Sequence, residues 1–126
     1  MEDMKRRREQ HFANLVRSYR KHHIGKGPEK IKITFSGNWA IAHMSGNLSP
    51  VERFIASTEQ GRMMVWQART HMIKELYSET PPREMEELVG AKFVQLFTDI
   101  NVEKDETVSV FVFDQPIDDS DTMHVI

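Results

Sequence analysis

The fold is decided by residues 48–77, which read LSPVERFIASTEQGRMMVWQARTHMIKELY. Apolar side chains recur along this segment at steps of three and four residues, the period of one face of an α-helix. They are Val51, Phe54, Ile55, Val65, Met72 and Leu76. Ser49 is suited to cap the start of the helix, Pro50 to its first position, and Glu52 lies three residues after the cap. The segment therefore predicts the longest helix of the chain, beginning near Pro50.

Gly61 is the irregular point of this segment. An interior glycine costs a helix about 1 kcal/mol relative to alanine, so Gly61 predicts either a break or the close approach of another backbone. Beyond it, apolar side chains cover more than half of the helix circumference. We expect so wide a surface to be covered on two sides, by a sheet and by either the first helix or a second subunit. The residues of this surface that we predict to lie at an interface are Met63, Trp66 and Tyr77.

A basic helix is expected over residues 4–23. Gly25 is placed as its left-handed C-cap, and Pro28 prevents the helix from resuming. One face carries Phe12, Leu15, Val16 and Tyr19, and the rest carries Arg6, Arg7, Arg8, Arg17, Arg20 and Lys21. We interpret the basic residues as a solvated surface. The alternative, an arm that binds nucleic acid or anionic lipid, is less favoured because no aromatic side chains alternate with the basic ones.

A β-hairpin is expected on each side of the long helix. The first alternates apolar and polar side chains over residues 30–36, turns at Gly37 and Asn38, and returns over residues 39–44. The second follows a short acidic helix that ends at Gly90. Its strands are expected over residues 92–100 and 108–113.

The second hairpin is apolar on both sides. In its first strand, Val94, Leu96 and Ile100 are expected on one face, and Phe93 and Phe97 on the other. Strands of this kind belong in the interior of a sheet or under a subunit interface. We therefore expect the two hairpins to join in one sheet.

The predicted fold class is α+β. The element order is α-β-β-α-α-β-β, and the two β-hairpins form a four-stranded, mostly antiparallel sheet with the helices on one face. Residues 1–113 form one domain, because a chain of 126 residues has no room for a second core. Residues 114–126 are acidic or small and are expected to form a mobile tail.

Composition excludes several kinds of protein. No apolar run approaches the roughly 20 residues of a transmembrane helix. The charged start is not followed by an apolar run of the length found in signal peptides, so we expect a cytoplasmic protein. The absence of cysteine excludes disulfides and thiolate chemistry. Residues 1–32 carry ten Lys and Arg against four Asp and Glu, whereas residues 99–126 carry one against eight. This asymmetry suits either an anionic partner or pairing of the two ends, within a monomer or across a dimer.

Arg62 and Arg69 lie seven residues apart on one stripe of the long helix. An unpaired buried guanidinium is costly, so each has to stay in water or find a partner. One interpretation pairs them with Glu59 or with acids of the second hairpin such as Asp99. The other makes them, together with Lys26, a site for an anion or for a partner protein. The candidate binding residues are Lys26, Arg62, Arg69 and Asp99.

No catalytic constellation is present in the sequence. The six histidines are scattered, and none has a companion at a metal-binding interval. No serine or aspartate arrangement forms a nucleophile set. We therefore predict no catalytic residues, no metal site and no cofactor, and we regard an enzyme as the less favoured class.

Several short motifs resemble the MpsC family over about residues 11–113. They are Gly25-Lys26-Gly27-Pro28 before a strand, Leu48-Ser49-Pro50 with Glu52, Thr58-Glu59-Gln60-Gly61-Arg62 followed by Arg69, and Asp99-Ile100 at a strand end. This family of small bacterial domains is named for a sodium-translocating membrane potential-generating system. The resemblance implies a cytoplasmic accessory or regulatory protein that is linked to a membrane cation-translocating or inorganic-carbon uptake system. It implies no catalytic residue.

The leading functional hypothesis is a non-enzymatic interaction module. It would form a homodimer and dock on a subunit of a membrane system, since the long helix has more apolar surface than one sheet can cover. The first alternative is a nucleic-acid-binding domain that uses the basic first helix. The second is a small-anion sensor that uses Lys26, Arg62 and Arg69.

Overall fold

The structure is a computed structural model that describes residues 2–117. Its elements, in chain order, are α1 (Glu2–Ile24), β1 (Lys30–Ser36), β2 (Trp39–Ser45), α2 (Pro50–Ile55), α3 (Glu59–Glu79), α4 (Arg83–Val89), β3 (Phe93–Asn101) and β4 (Glu106–Phe113). This order confirms the predicted α+β class and both hairpins. The segment predicted as one long helix forms two helices, α2 and α3.

The four strands form one antiparallel sheet in the order β1-β2-β4-β3. Pairing of β2 with β4 joins the two hairpins, so the two-sided strand β4 lies in the interior of the sheet as expected. β3 lies at the edge. The helices pack on one face of the sheet, which we call the inner face, and the opposite face is the outer face.

An aromatic cluster attaches α1 to the inner face. Phe12 of α1 has no exposed surface. Its ring contacts those of Phe35, Phe111 and Phe113 edge to face, with centroids 5.7, 5.3 and 6.3 Å away. Each such pair adds about 0.5–1.5 kcal/mol beyond the burial of apolar area. The predicted apolar face of α1 therefore fixes this helix to two strands of the sheet, β1 and β4.

A β-bulge between Phe93 and Gln95 corrects the predicted faces of β3. The extra residue breaks the alternation, so Phe93 packs against the core while Val94 is 56% exposed. The faces predicted for these two residues were therefore wrong. Beyond the bulge the alternation holds, since Leu96 is buried and Phe97 is 52% exposed.

Gly61 lies where α3 meets the end of α2. A Cβ atom at this position would collide with the carbonyl oxygen of Ile55, the last residue of α2. Thr58 caps α3 by accepting a hydrogen bond from the Gly61 N–H at 3.0 Å. Both features predicted from Gly61 are confirmed, because the helix breaks just before it and another backbone lies against it.

The fold extends to Ile117 rather than ending at Phe113. Ile117 is 7% exposed, packs in the main core, and donates its N–H to the Gly37 carbonyl at 2.8 Å. Asp114 accepts a hydrogen bond from the Lys92 N–H at 2.9 Å. The prediction of a mobile tail is therefore corrected for residues 114–117, where one apolar side chain fixes the segment. The rest of that prediction, residues 118–126, lies outside the described residues.

Replacing Gly61 with alanine is expected to lower the free energy of unfolding by about 2 kcal/mol, because overpacking against a neighbouring backbone typically costs about 1–3 kcal/mol. Urea unfolding followed by circular dichroism measures the change. Gln60→Ala is the matched control in the same turn, and this exposed position should change stability by less than about 0.5 kcal/mol. Equal stability of the two variants would contradict the close approach.

Candidate functional site

A group of large apolar side chains is exposed on α2 and the first half of α3. We call this group the α2–α3 surface. Its members are Val51 (68% exposed), Phe54 (80%), Ile55 (38%), Met63 (57%), Met64 (56%) and Trp66 (40%). Single exposed apolar residues are ordinary, but six within residues 51–66 are typical of a surface that contacts another molecule.

Phe54 and Val51 are the largest departures from the sequence analysis. Helical periodicity assigned both to the face that also carries Val65, which is indeed 4% exposed. The assignment was wrong for α2 because periodicity places residues on a common face only within an unbroken helix. Once the chain breaks after Ile55, the side chains of α2 no longer lie in line with those of α3, and α2 has no buried residue.

An ion pair between Glu52 and Arg69 fixes α2 against α3. Arg69 is 5% exposed, and its Nε and Nη2 donate to the two carboxylate oxygens of Glu52 at 2.6 and 2.7 Å. Nη2 also donates to the Asn47 carbonyl at 2.7 Å. This bidentate partner satisfies the buried guanidinium. The partner predicted for Arg69, either Glu59 or an acid of the second hairpin such as Asp99, was wrong, because Glu52 of α2 supplies the carboxylate.

Glu52 also completes the predicted capping box of α2. Its Oε1 accepts from the Ser49 N–H at 2.9 Å, and the Ser49 hydroxyl accepts from the Glu52 N–H at 3.2 Å. Burial by itself raises the pKa of Glu52, but hydrogen bonds from Arg69 and Ser49 and the charge of Arg69 outweigh it, and the pKa lies below its usual value. The carboxylate is therefore held in its charged form.

The turn before α2 is held by Asp105 of the β3–β4 turn. Its carboxylate accepts from the Asn47 N–H at 2.8 Å and from the Leu48 N–H at 3.2 Å, and it pairs with Arg53 at 3.4 Å. Asp105 itself has a positive φ of 51°, a conformation that aspartate tolerates better than most residues. The second hairpin thus sets the position of α2.

Arg62 and Lys26 each have a carboxylate partner as well. Arg62 donates to the Ala56 carbonyl at 3.2 Å and pairs with Glu103 of the β3–β4 turn at 3.5 Å. Its partner is therefore an acid of the second hairpin, as one interpretation expected, but it is neither Glu59 nor Asp99. Lys26 pairs with Glu29 at 3.9 Å.

Asp99 binds Trp66 rather than an arginine. Its Oδ1 accepts from the indole Nε1 at 2.8 Å and from the Ile100 N–H at 2.9 Å. Asp99 and Arg69 line a common cavity of about 10 Å³, whereas Lys26 and Arg62 do not line it. A cavity of this size holds about one water molecule. The four candidate binding residues are therefore not gathered in one pocket.

Tyr77 lies in the core, which corrects its prediction as an interface residue. It is 1% exposed, its ring stacks on Tyr19 at 4.4 Å, and burial raises its pKa. Met63 and Trp66, the other two interface candidates, are exposed. The buried residues of α3 recur at every fourth position. This spacing is the signal in the sequence that could have separated the buried Tyr77 from the exposed Met63 and Trp66. These buried residues are Gly61, Val65, Arg69, Ile73 and Tyr77.

Three of the basic residues of α1 are used within the fold. Arg8 is 5% exposed and donates to the Leu88 carbonyl. Arg20 is 2% exposed and donates to the Tyr77 hydroxyl at 3.4 Å and the Ser109 hydroxyl at 3.2 Å. Arg17 donates to the Pro28 carbonyl at 3.1 Å. The exposed basic residues from that predicted arm are Arg6, Arg7 and Lys21.

Comparison with known proteins identifies the family. The family model described as Na+-translocating membrane potential-generating system (MpsC) matches residues 4–115. The chain belongs to the MpsC family. This confirms the resemblance, and the match also includes part of the basic start that the predicted range of 11–113 left out.

A relative of this MpsC-family protein is the uncharacterized protein YrhF of Bacillus subtilis (strain 168). The two are 52% identical over 108 residues, which cover 86% of this chain and 88% of the relative. No solved structure matches. None of the helices within residues 2–117 is both long enough and apolar enough to pass through a membrane.

Replacing Glu52 with glutamine is expected to lower the free energy of unfolding by about 3 kcal/mol at pH 7, since it leaves a buried guanidinium without its counter-charge. Because the pKa of Glu52 is lowered on folding, its contribution is present above the unfolded pKa of about 4.3 and is lost as the pH falls through the folded pKa. The difference between variant and wild type should therefore shrink below about pH 4.

Urea unfolding between pH 3 and pH 8 measures this difference. Glu103→Gln is the control, because it breaks the exposed pair with Arg62 and should cost less than about 1 kcal/mol. A Glu52→Gln variant as stable as the Glu103→Gln variant at pH 7 would contradict the assigned role.

Proposed function

We propose that this protein is a non-enzymatic accessory or regulatory protein that docks on a partner protein through the α2–α3 surface. We infer further that it acts in the cytoplasm, as a homodimer, and that the partner is a subunit of a membrane cation-translocating system. The observation that carries the proposal is the exposure of six large apolar side chains within residues 51–66.

α2 is maintained by polar contacts and contributes no buried side chain to the core. A helix of six residues is not stable by itself in water. Here the capping box, the contact of Glu52 with Arg69, and the contacts of Asp105 hold it in place. These interactions leave Val51 and Phe54 exposed to solvent. If a partner buried them fully, each side chain would contribute about 1.5–3 kcal/mol to the free energy of binding. An element built in this way supports a role in binding rather than in stability.

Charged residues of both signs surround the apolar side chains. An open groove of about 360 Å³ lies between α3 and the β3–β4 turn. It is lined by Glu59, Arg62, Met63, Trp66, Ile100, Asn101, Val102 and Glu103. An apolar centre with a polar rim is the usual composition of a protein interface. We therefore propose that the ligand is an amphipathic segment of a protein whose apolar side chains contact Met63 and Trp66.

The family supports the choice of partner. Its description names a Na+-translocating membrane potential-generating system. An inorganic-carbon uptake system is the other kind of partner that the sequence resemblance implied, and it would use the same surface.

The two alternative functions receive less support from the described contacts. Lys26, Arg62 and Arg69 each pair with a carboxylate of the same chain, so none offers a free charge to a small anion. Burial of Arg8 and Arg20 removes two of the cations that a nucleic-acid arm would use.

A photoreactive phenylalanine analogue placed at Phe54 is expected to cross-link to a subunit of a membrane system in cells that make the protein at its natural level. The same analogue at Lys74, an exposed position of α3 outside the α2–α3 surface, is the matched control and should give no such product. Mass spectrometry of the cross-linked band identifies the subunit. Addition of Met63→Ser should abolish the product at position 54 without changing the unfolding midpoint.

Products of equal yield at positions 54 and 74, or products with cytoplasmic proteins alone, would contradict the proposed function. Self-association does not confuse the result, because mass spectrometry of a cross-linked homodimer finds peptides of this chain alone, whereas a product with a membrane subunit also contains peptides of that subunit.

A further inference from the structure

The outer face of the sheet carries an apolar band that the helices within residues 2–117 leave partly exposed. The pairing register places Ile41, Val110 and Phe97 side by side across β2, β4 and β3. The next row contains Trp39 and Val112, of which Val112 is only 9% exposed. Trp39 is 46% exposed and Phe97 is 52% exposed. The open face of an antiparallel sheet is ordinarily polar, so this band is unusual for a surface in water.

Charge on the outer face is divided between its two sides. Lys30 and Lys32 lie exposed on β1, at one edge. Asp99 lies on β3 at the other edge, and Glu106 lies on the neighbouring strand β4. The register puts Lys32 and Asp99 in the same row, with His43 and Val108 between them. The outer face is therefore basic at one edge, apolar in the middle and acidic toward the other edge.

We propose that the outer face binds the outer face of a second copy of this chain. The two copies would be related by a twofold axis that runs along the strands, midway between the two sheets. Rotation about such an axis places β1 over β3 of the partner subunit, and β2 over β4 of the partner subunit. Twisted sheets pack in this aligned way with their strands within about 30° of each other.

This arrangement makes the surface complementary to itself, as a twofold interface requires. Lys32 comes to lie opposite Asp99 of the partner subunit at both edges, and Ile41 lies opposite Val110 of the partner subunit in the middle. Asp99 uses only Oδ1 in its contacts with Trp66 and Ile100, so its other oxygen can accept from a lysine. A twofold axis perpendicular to the strands, in the plane between the sheets, would instead place β1 over β1 of the partner subunit, so that the two basic edges lie together.

The size of the face sets the expected strength of the dimer. Four strands about 4.8 Å apart and seven paired residues of about 3.3 Å each give a face of roughly 19 by 23 Å. Two such faces together bury roughly 900 Å², which is in the range of weak, transient interfaces, so we expect a dimer of micromolar affinity. The inference deepens the proposed function, because it assigns self-association to the sheet and leaves the α2–α3 surface of each copy to the partner.

Analytical ultracentrifugation from about 1 to 100 μM tests the dimer. The wild-type chain of 14.7 kDa should reach twice this mass within the range. Phe97→Lys should remain monomeric at every concentration while its unfolding midpoint stays near that of the wild type at low concentration. Phe54→Ser is the matched control on the α2–α3 surface and should dimerise like the wild type.

Charge exchange tests the orientation and does not rely on Phe97→Lys folding. Lys32→Glu should weaken the dimer about tenfold or more, and the double variant Lys32→Glu with Asp99→Lys should restore it to within about threefold. Trp66→Phe removes the intrachain bond to Asp99 and should leave the dimer intact.

Three results would overturn the inference. They are a wild-type chain that is monomeric at 100 μM, a Phe97→Lys variant that still dimerises, and a Phe54→Ser variant that does not. The first two results would show that the outer face does not bind a second copy, and the third would move self-association to α2. The first two results leave the cross-link from position 54 to a membrane subunit unaffected, and after the third the mass of the cross-linked product still distinguishes a membrane subunit from a second copy of this chain. Failure of this inference and failure of the proposed function can therefore be told apart.

Discussion

The buried ion pair of Glu52 with Arg69 determines how this protein presents its surface. A guanidinium that is 5% exposed requires a partner, and the carboxylate that supplies it also closes the cap of α2. Since α2 has no buried side chain, this polar contact, rather than hydrophobic burial, determines where its apolar residues point. Without the pair, α2 would lose its direct polar contact with α3, one of the contacts that fix Phe54 relative to Met63.

The core and the α2–α3 surface are stabilised by different interactions. The main core combines the aromatic cluster around Phe12 with Arg20, whose guanidinium is held by two hydroxyl groups and lies 5.6 Å from the centre of the Tyr77 ring. Leu48, Val65 and Ile100 form a second, smaller cluster under α2 and α3. Weakening the second cluster therefore need not unfold the sheet, because the main core does not include it.

Local signals in the sequence predicted most of the fold, and long-range pairing explains most of what they missed. Caps at Ser49 and Gly90 and the alternation in the first hairpin depend on neighbouring residues, so they could be recognised directly. The β-bulge after Phe93 and the partner of Arg62 depend on which strand or turn lies beside them. For the candidate site, the sequence predicted Met63 and Trp66 to lie at an interface, and the structure leaves both exposed. The prediction for Tyr77 was wrong because it treated the whole apolar circumference of the helix as one surface and did not separate the stripe at every fourth residue that Tyr77 shares with Val65 and Ile73.

The close contact at Gly61 has a consequence for recognition. The carbonyl oxygen of Ile55 occupies the space of a side chain there, so the angle between α2 and α3 has little freedom to vary. A surface held rigidly before it meets its partner loses little conformational entropy on association. Selectivity would then depend on shape, and segments that require the two helices to reorient would be rejected. Gly61 has no side chain with which to contact a partner, yet the contact that it permits would limit which partners fit.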